Sequence, residues 1–261
     1  MNDVYTHGHH ESVLRSHRSR TAENSCGYLL SSLRPGLDLL DVGCGPGTIT
    51  RDLAARVAPG RVVGIDLVSV ADLDDVPNNV EFAVGDAYDL EFADASFDVV
   101  HAHQVLQHLT RPVDALTEMR RVLRPGGLVA VRDSDYGAFR WSPPDPRLDR
   151  WLGLYHELTE RNGVDADAGR HLEGWVRAAG FTDIVPSSSE WTFEAPEERA
   201  WWGSMWADRV LHSNFASQSL AYGLTTDTEL TDIADAWREW ADRGEGSFTV
   251  PHGEVLGRRS G

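Results

Sequence analysis

The chain has 261 residues, a formal net charge of −17 and two cysteines. This length allows one large α/β domain with a substantial core, so no disulfide framework is needed. The acidic balance opposes contact with phosphate backbones and argues against a nucleic-acid substrate. We find no signal peptide and no apolar run near the roughly 18 residues of a membrane span. Two cysteines without metal or redox spacing indicate a reducing, cytoplasmic compartment, and the arginine-only basic side chains are typical of a GC-rich bacterial genome.

Residues 1–33 are polar and contain four histidines. The pattern predicts a short helix over Glu11–His17 and a longer one over Thr21–Leu33, with Thr21 as the N-cap. Three of the histidines, in the run HGHH, lack the converging ligands that zinc needs. We therefore predict no metal site in this segment.

The segment Leu37–Val57 reads as a buried strand, a glycine-rich turn and a helix. Gly43, Gly45 and Gly47 occupy alternate positions of the turn. Glycine reaches positive φ without strain and lets a ligand sit against the backbone. The helix that follows directs free N–H groups at the turn, so the segment predicts a nucleotide-type cofactor.

Two kinds of cofactor use such a turn. A dinucleotide fold requires a third glycine at the position occupied by Thr48. The pattern Asp41-x-Gly43-x-Gly45-x-Gly47 instead resembles motif I of the class I S-adenosylmethionine (SAM) dependent methyltransferases. The resemblance implies that Asp41 lies near the methionine moiety of SAM and that the glycines make room for it.

Two further acidic residues follow predicted strands. The strand Arg61–Leu67 contains Asp66, placed where a carboxylate accepts both ribose hydroxyls in SAM and NAD folds. After the strand Val80–Val84, Gly85-Asp86-Ala87 resembles the methyltransferase motif whose aspartate meets the adenine amino group. A dinucleotide enzyme has no such requirement here, which favours SAM.

The run SFDVVHAHQVLQHL predicts a fourth strand, Phe97–Ala102, that leads into the active-site loop. Ligands of open α/β sheets bind at the carboxyl ends of strands, where His103 and Gln104 fall. His103 is the first candidate for a general base and His108 the second, although both residues are also consistent with simply lining the pocket. The His101-x-His103 pattern of metal-dependent hydrolases needs a (β/α)₈ barrel, which this chain does not have.

Pro112–Leu123 predicts an amphipathic helix, and LVAVRDSD a fifth strand. The string LTEMRRVLRPGGLVAV resembles the corresponding stretch of ubiquinone/menaquinone-type C-methyltransferases and their small-molecule relatives. Asp135 and Tyr136 lie just past this strand, where acceptors bind in that family. They are candidate substrate contacts or, equally, part of an acidic surface loop.

Helices are predicted over Arg147–Arg161 and Ala166–Ala179, and a sixth strand over Phe181–Phe193. About fifty residues then precede the last strand, SFTVPHGEVLGR, and they read as two helices rich in tryptophan. In the family, such insertions build the acceptor side of the pocket. Trp202 and Trp206 are therefore candidate substrate contacts for a large apolar or aromatic acceptor, with core packing or a dimer interface as alternatives.

The fold class that follows is α/β: a doubly wound, mostly parallel, Rossmann-like sheet of seven strands whose last strand is antiparallel. An N-terminal helical lid spans residues 1–33, the SAM-binding core 34–193, a helical cap insertion 194–245, and the last strand and tail 246–261. In the family an N-terminal tyrosine contacts the SAM carboxylate, which makes Tyr5 a candidate. The full set of expected cofactor contacts is Tyr5, Asp41, Gly43, Cys44, Gly45, Gly47, Asp66, Leu67, Asp86, Ala87, His103 and Gln104.

The resemblance implies in-line transfer of a methyl group from SAM to a small acceptor, leaving S-adenosylhomocysteine, by a monomer or homodimer without metal. C-, O- and N-acceptors remain open, as do secondary metabolism and quinone-type biosynthesis. Two alternatives belong to other classes: a SAM-binding protein without methyl transfer, either pericyclase-like or ligand-responsive, and a NAD(P)-dependent oxidoreductase.

Overall fold

A computed structural model of the protein describes residues 3, 6, 11–68 and 76–261. The strands are β1 (Leu39–Val42), β2 (Val62–Asp66), β3 (Val80–Val84), β4 (Phe97–His103), β5 (Leu123–Ser134), β6 (Arg140–Ser142), β7 (Thr182–Phe193) and β8 (Ser247–Arg258). The helices are α1 (Glu11–Arg18), α2 (Ala22–Ser25), α3 (Gly27–Leu30), α4 (Thr48–Val57), α5 (Pro112–Val122), α6 (Pro146–Asn162), α7 (Leu172–Ala178), α8 (Pro196–His212), α9 (Asn214–Ala221) and α10 (Asp227–Asp242). None of these helices combines the length and hydropathy needed to cross a bilayer.

The strands form one sheet in the order β3-β2-β1-β4-β5-β8, with β7 on the far side of β8. β1 to β5 pair in parallel, and β8 runs antiparallel to both of its neighbours. This arrangement confirms the predicted mostly parallel sheet with an antiparallel last strand. The prediction of seven strands missed β6, which pairs with β8 beyond the end of β5. Three residues are too few to show an alternating pattern.

Apolar side chains cover both faces of the parallel strands, as expected when helices pack on each side. One core joins Leu53 of α4 and Leu29 of α3 to Leu39 of β1. The opposite core joins Met119 of α5 and Val176 of α7 to the same sheet. The carboxyl ends of β1 to β5 are thereby held at one edge, where the cofactor-type residues lie.

The insertion between β7 and β8 forms a further core together with α6 and β8. Trp206 and Trp237 pack against Trp151 of α6, with ring centroids 4.5 and 4.9 Å away. Phe248 of β8 lies 5.2 Å from Trp237, so the same cluster reaches the sheet. The sequence predicted two helices here, but the first is divided at Ser213, whose hydroxyl accepts from the backbone N–H of Phe215 and caps α9.

The N-terminal helices contact two different parts of the fold, α1 at α8 and α2 at α4. Helix α1 packs on α8, where Arg15 pairs with Asp208 at 3.2 Å. The predicted helix over Thr21–Leu33 is instead two short helices, α2 and α3, that meet at Cys26. Thr21 is the N-cap as predicted, because its hydroxyl accepts from the backbone N–H of Asn24.

Candidate active site

The glycine loop leaves β1 and turns sharply into α4. Gly43, Gly45 and Gly47 have φ values of 69°, 53° and 75°, a region that side-chain-bearing residues rarely occupy. The backbone N–H groups of Gly43 and Cys44 both donate to the carbonyl of Ile65 in β2, which fixes the loop to the neighbouring strand. A Cβ on Gly43 would lie 2.4 Å from Val105, so this position has no room for a side chain.

Asp66 closes the loop from the end of β2. Its Oδ2 accepts from the backbone N–H of Gly45 at 2.9 Å, while Oδ1 lies beside the N–H of Val68 at 3.4 Å. The carboxylate is therefore held at the carboxyl edge of the sheet. Leu67 follows with 63% of its surface exposed, so an apolar side chain without protein cover lies next to this carboxylate.

Asp86 lies at the end of β3, one strand further along the same edge. It is exposed, and its Oδ1 accepts from the backbone N–H of Tyr88 at 2.9 Å, which shapes the turn around Ala87. Val84, just before it, is 62% exposed. Exposed apolar side chains beside two carboxylates suit a ligand with a flat ring and hydroxyl groups.

The structure gives Asp41 a different place from the one predicted. Its side chain is buried below the loop: Oδ1 lies 2.7 Å from Nδ1 of His101, and Oδ2 accepts from the hydroxyl of Thr50. On the other side of the imidazole, Nε2 of His101 lies 3.1 Å from Sγ of Cys26. Both carboxylate oxygens are occupied within the protein, so Asp41 supports the loop from below.

Two other predicted cofactor contacts are Cys44 and Tyr5. Cys44 is 9% exposed, and burial raises the pKa of its thiol. Only its backbone stands in the loop. Tyr5 lies outside the described residues, as do the histidines of the HGHH run. Within the described ranges, no three histidine, cysteine or carboxylate side chains converge as metal ligands.

A cavity of about 280 Å³ adjoins the glycine loop. His17 connects the cavity with the loop. It lines the cavity, and its Nδ1 lies 3.5 Å from the place where a Cβ on Gly45 would be. Among the described residues, seven aromatic side chains line the cavity: Tyr136, Phe139, Trp191, Phe193, Trp201, Trp202 and Trp206. Aromatic walls of this kind give a ligand a large contact area with little loss of side-chain entropy.

Gln104 stands where the cavity, the sheet and the N-terminal helices meet. Its φ of 55° is left-handed, a conformation that costs about 1–3 kcal/mol for a non-glycine residue and is concentrated at functional sites. Its Nε2 donates to the hydroxyl of Ser134 and lies 2.9 Å from Nε2 of His252, and its Oε1 accepts from Arg20 at 2.6 Å. The amide is therefore held by groups from β5, from β8 and from the segment after α1.

The two candidate bases occupy different places. His103 is 5% exposed and is not part of the cavity wall; burial and nearby arginines hold its pKa well below the usual range. His108 lines the cavity, where burial, Arg20 and Arg209 lower its pKa to about 3. Both imidazoles are neutral at pH 7, and the geometry favours His108 over His103 as the one that can meet an acceptor.

Of the four predicted substrate contacts, three line the cavity: Tyr136, Trp202 and Trp206. Asp135 is the fourth, and the structure places it elsewhere. Its carboxylate forms an ion pair with Arg170 and is absent from the cavity wall. In the loop after β5, Tyr136 therefore faces the cavity, whereas Asp135 pairs with Arg170 in the turn before α7.

Among the polar residues of the cavity wall that the sequence did not predict are Gln107 and Arg209. For Arg209 a signal was present: Trp202, Trp206 and Arg209 follow the i, i+4, i+7 spacing of one helix face. A charged residue on an apolar face is unusual enough to mark a site. Gln107 had no such signal, because it lies in a single 3₁₀ turn between β4 and α5.

Comparison with known proteins agrees with this geometry. Residues 40–131 match the family model described as a methyltransferase domain. An uncharacterised methyltransferase of Schizosaccharomyces pombe is 33% identical over 97% of this chain and 95% of its own. A ubiquinone/menaquinone biosynthesis C-methyltransferase of Ectopseudomonas mendocina is 38% identical over 68% of each chain.

A solved structure gives the same fold. Phosphoethanolamine N-methyltransferase 2 of Haemonchus contortus, in complex with phosphomonomethylethanolamine and S-adenosylhomocysteine, aligns with a TM-score of 0.52 and 18% identity over 88% of this chain. The chain spans 50% of that protein's length. With the glycine loop, the two strand-end carboxylates and relatives aligned over nearly the whole length, the chain belongs to the class I SAM-dependent methyltransferases.

Proposed function

We propose that this methyltransferase acts on a small hydrophobic or aromatic molecule, which binds in the cavity between the glycine loop and α8. The observation that carries the proposal is the wall of seven aromatic side chains around about 280 Å³. That volume suits one or two fused rings rather than a macromolecular chain. The similarity to a ubiquinone/menaquinone biosynthesis enzyme is consistent with a quinone-like or secondary-metabolite acceptor.

The cofactor site is assigned residue by residue as part of the same proposal. Gly43, Gly45 and Gly47 let the cofactor approach the backbone. Asp66 is expected to accept from the ribose hydroxyls, and Asp86 with Ala87 to meet the adenine. The exposed Leu67 and Val84 support this, because an adenine ring would cover them. SAM supplies a methyl group that its sulfonium has already activated.

The protein's contribution to rate is then mainly positioning. Gln104 is rigidly held where the cavity meets the loop, and the aromatic wall excludes water from the reacting groups. A histidine with a pKa of about 3 is a weak base at neutral pH, so His108 is proposed to line the acceptor site without removing a proton from the acceptor.

The proposal includes a cytoplasmic location and a monomer or homodimer that acts without nucleic acid. Both cysteines are free and buried, as expected for a protein of a reducing compartment. The net charge of −17 opposes a nucleic-acid partner. Light scattering after gel filtration measures the oligomeric state directly.

The test uses CD₃-labelled SAM with a panel of phenols, naphthols and quinols, read by mass spectrometry. We expect a 17 Da gain on at least one acceptor, which is the mass of CD₃ replacing hydrogen. Asp66→Ala should lose SAM binding in calorimetry, whereas Asp183→Ala, on the exposed start of β7, should keep it. Tight SAM binding with no transfer to any acceptor would instead favour a SAM-binding protein without methyl transfer, and binding of NADH alone would favour an oxidoreductase.

A further inference from the structure

We infer that the acceptor is a flat aromatic molecule carrying a hydroxyl or amine group, which Gln107 receives, and an anionic group, which Arg209 holds. The inference rests on the proposed function, because it describes the occupant of the same cavity. It goes further in assigning two polar recognition points to an otherwise aromatic wall.

Gln107 provides the first point. It is 3% exposed and lines the cavity. Its backbone N–H donates to Asp133 and its Nε2 lies 3.1 Å from Nε2 of His108, yet its Oε1 has no hydrogen-bond partner among the described residues. A buried carbonyl oxygen without a donor costs free energy, so a ligand that donates to it gains affinity.

Arg209 provides the second point. Its guanidinium is almost completely buried, donates to the hydroxyl of Ser16 at 2.9 Å and lies 4.6 Å over the ring of Trp206. Two turns of α8 away, the buried Nε1–H of Trp202 has no hydrogen-bond partner in the described part of the chain. Of these two donors the guanidinium is charged, so it is the one that suits an anionic oxygen.

The charges around the cavity support an anion as well. Of the described residues that line it, Arg20 and Arg209 are basic and only Glu190 is acidic. Glu190 is exposed and pairs with Arg140 at 2.8 Å, so the buried part of the wall is positive in a protein whose net charge is −17. The pKa of His108 is lowered first by burial and then by the charges of Arg20 and Arg209.

An anion at this wall has two possible sources, the acceptor or the carboxylate of the cofactor's methionine. Arg20 contacts Gln104 beside the glycine loop, whereas Arg209 lies over the ring of Trp206 in α8. We therefore assign the acceptor's anion to Arg209. Separate titrations of cofactor and acceptor distinguish the two sources.

The experiment is calorimetry on the full chain. The first titration uses S-adenosylhomocysteine alone. Three matched probes follow with that ligand saturating: 6-hydroxy-2-naphthoate, its uncharged amide, and 2-naphthoate, which lacks the hydroxyl. We expect the hydroxy acid to bind roughly tenfold or more tightly than either of the others.

Variants assign the effect to residues. Arg209→Met should abolish the preference for acid over amide and leave S-adenosylhomocysteine binding unchanged, and Arg209→Lys should retain part of the preference. Gln107→Met should abolish the preference for the hydroxyl. Arg161→Met, at an exposed arginine of α6, is the matched control and should change neither preference.

Several results would overturn the inference. Equal binding of acid and amide to the unmodified chain, or binding of none of the three probes, contradicts it even if Arg209→Met fails to fold. Weakened S-adenosylhomocysteine binding in Arg209→Met, with the acid preference intact, would assign the arginine to the cofactor. Failure of the unmodified chain to bind S-adenosylhomocysteine at all is a different result, because it contradicts the proposed function itself.

Discussion

At the scale of single residues, Gly43 of the glycine loop leaves no room for a side chain. At Gly43 two effects coincide, a φ of 69° and a Val105 methyl group 2.4 Å from where a Cβ would lie. Gly27, at the start of α3, has neither, since nothing lies within 4 Å of its Cβ position. The two glycines therefore form a matched pair for testing the loop.

Gly43→Ala should destabilise the protein by roughly 1–3 kcal/mol, lowering Tm by several degrees, and should weaken S-adenosylhomocysteine binding more than tenfold. The cause is the left-handed backbone together with the contact on Val105. Gly27→Ala should leave both quantities nearly unchanged. Calorimetry measures both; equal affinities for the two variants would show that the loop does not need this glycine.

The sequence predicted the glycine loop but not the position of the Asp41 side chain beside it. Spacing predicted Gly43, Gly45 and Asp66 at one edge of the sheet, and the resemblance to the methyltransferase motifs added Asp86. Spacing gave no information on where the Asp41 carboxylate points. That direction depends on His101 and Thr50, which the fold brings to it from β4 and α4.

At the scale of elements, α2 and α3 are attached to the sheet through a buried polar chain. Cys26 between the two helices contacts His101 of β4, which contacts Asp41 of β1. Burial opposes the charge on His101, but the Cys26 sulfur and the Asp41 carboxylate outweigh it and raise its pKa to about 10. The folded protein thus holds a proton that an unfolded histidine loses near pH 6.5.

The sign of the pH dependence follows. Because the folded pKa is raised, the stability from this pair is complete below about pH 6.5 and is lost as pH rises towards 10. His101→Gln should lower Tm at pH 7 by roughly 5 °C or more and reduce the fall in Tm between pH 7 and 9. His156→Gln removes a half-exposed histidine paired with Asp167 at 3.0 Å and serves as the control. Parallel Tm curves for His101→Gln and the unmodified chain would contradict a charged His101.

Elements with strong periodicity were predicted to within a few residues, among them β7, β8, α5 and α6. Breaks within helical patterns were missed: the sequence did not reveal that α8 ends before Ser213 or that Cys26 separates α2 from α3. Serine and cysteine are compatible with a helix interior as well as with its end. Tertiary packing decides between the two.

At the scale of the whole molecule, the tryptophan cluster joins the helical insertion to the sheet. Trp237 of α10 is fully buried and contacts Trp151 of α6 and Phe248 of β8. Trp240 belongs to the same core. Trp202 and Trp206, which the sequence offered as substrate contacts, belong to this core and also line the cavity.

Trp237→Ala should lower the free energy of unfolding by about 3–5 kcal/mol, because it removes a buried ring from between two elements. Tyr222→Ala, at a 39% exposed ring, should cost less than about 1 kcal/mol. Denaturation followed by tryptophan fluorescence and by circular dichroism measures both. In the unmodified chain we expect fluorescence and circular dichroism to give the same denaturation midpoint. Different midpoints would show that the insertion unfolds separately from the sheet and would contradict a shared core.

The most direct test of the account is a crystal structure with S-adenosylhomocysteine. We predict that the ligand lies along the glycine loop, its ribose at Asp66 and its adenine at Asp86, with the sulfur directed at the cavity beside Gln104. The aromatic cavity would then be left for the acceptor. A ligand that occupies the cavity itself, or whose sulfur points away from Trp202 and Trp206, would contradict the assignment of this cavity as the site of methyl transfer.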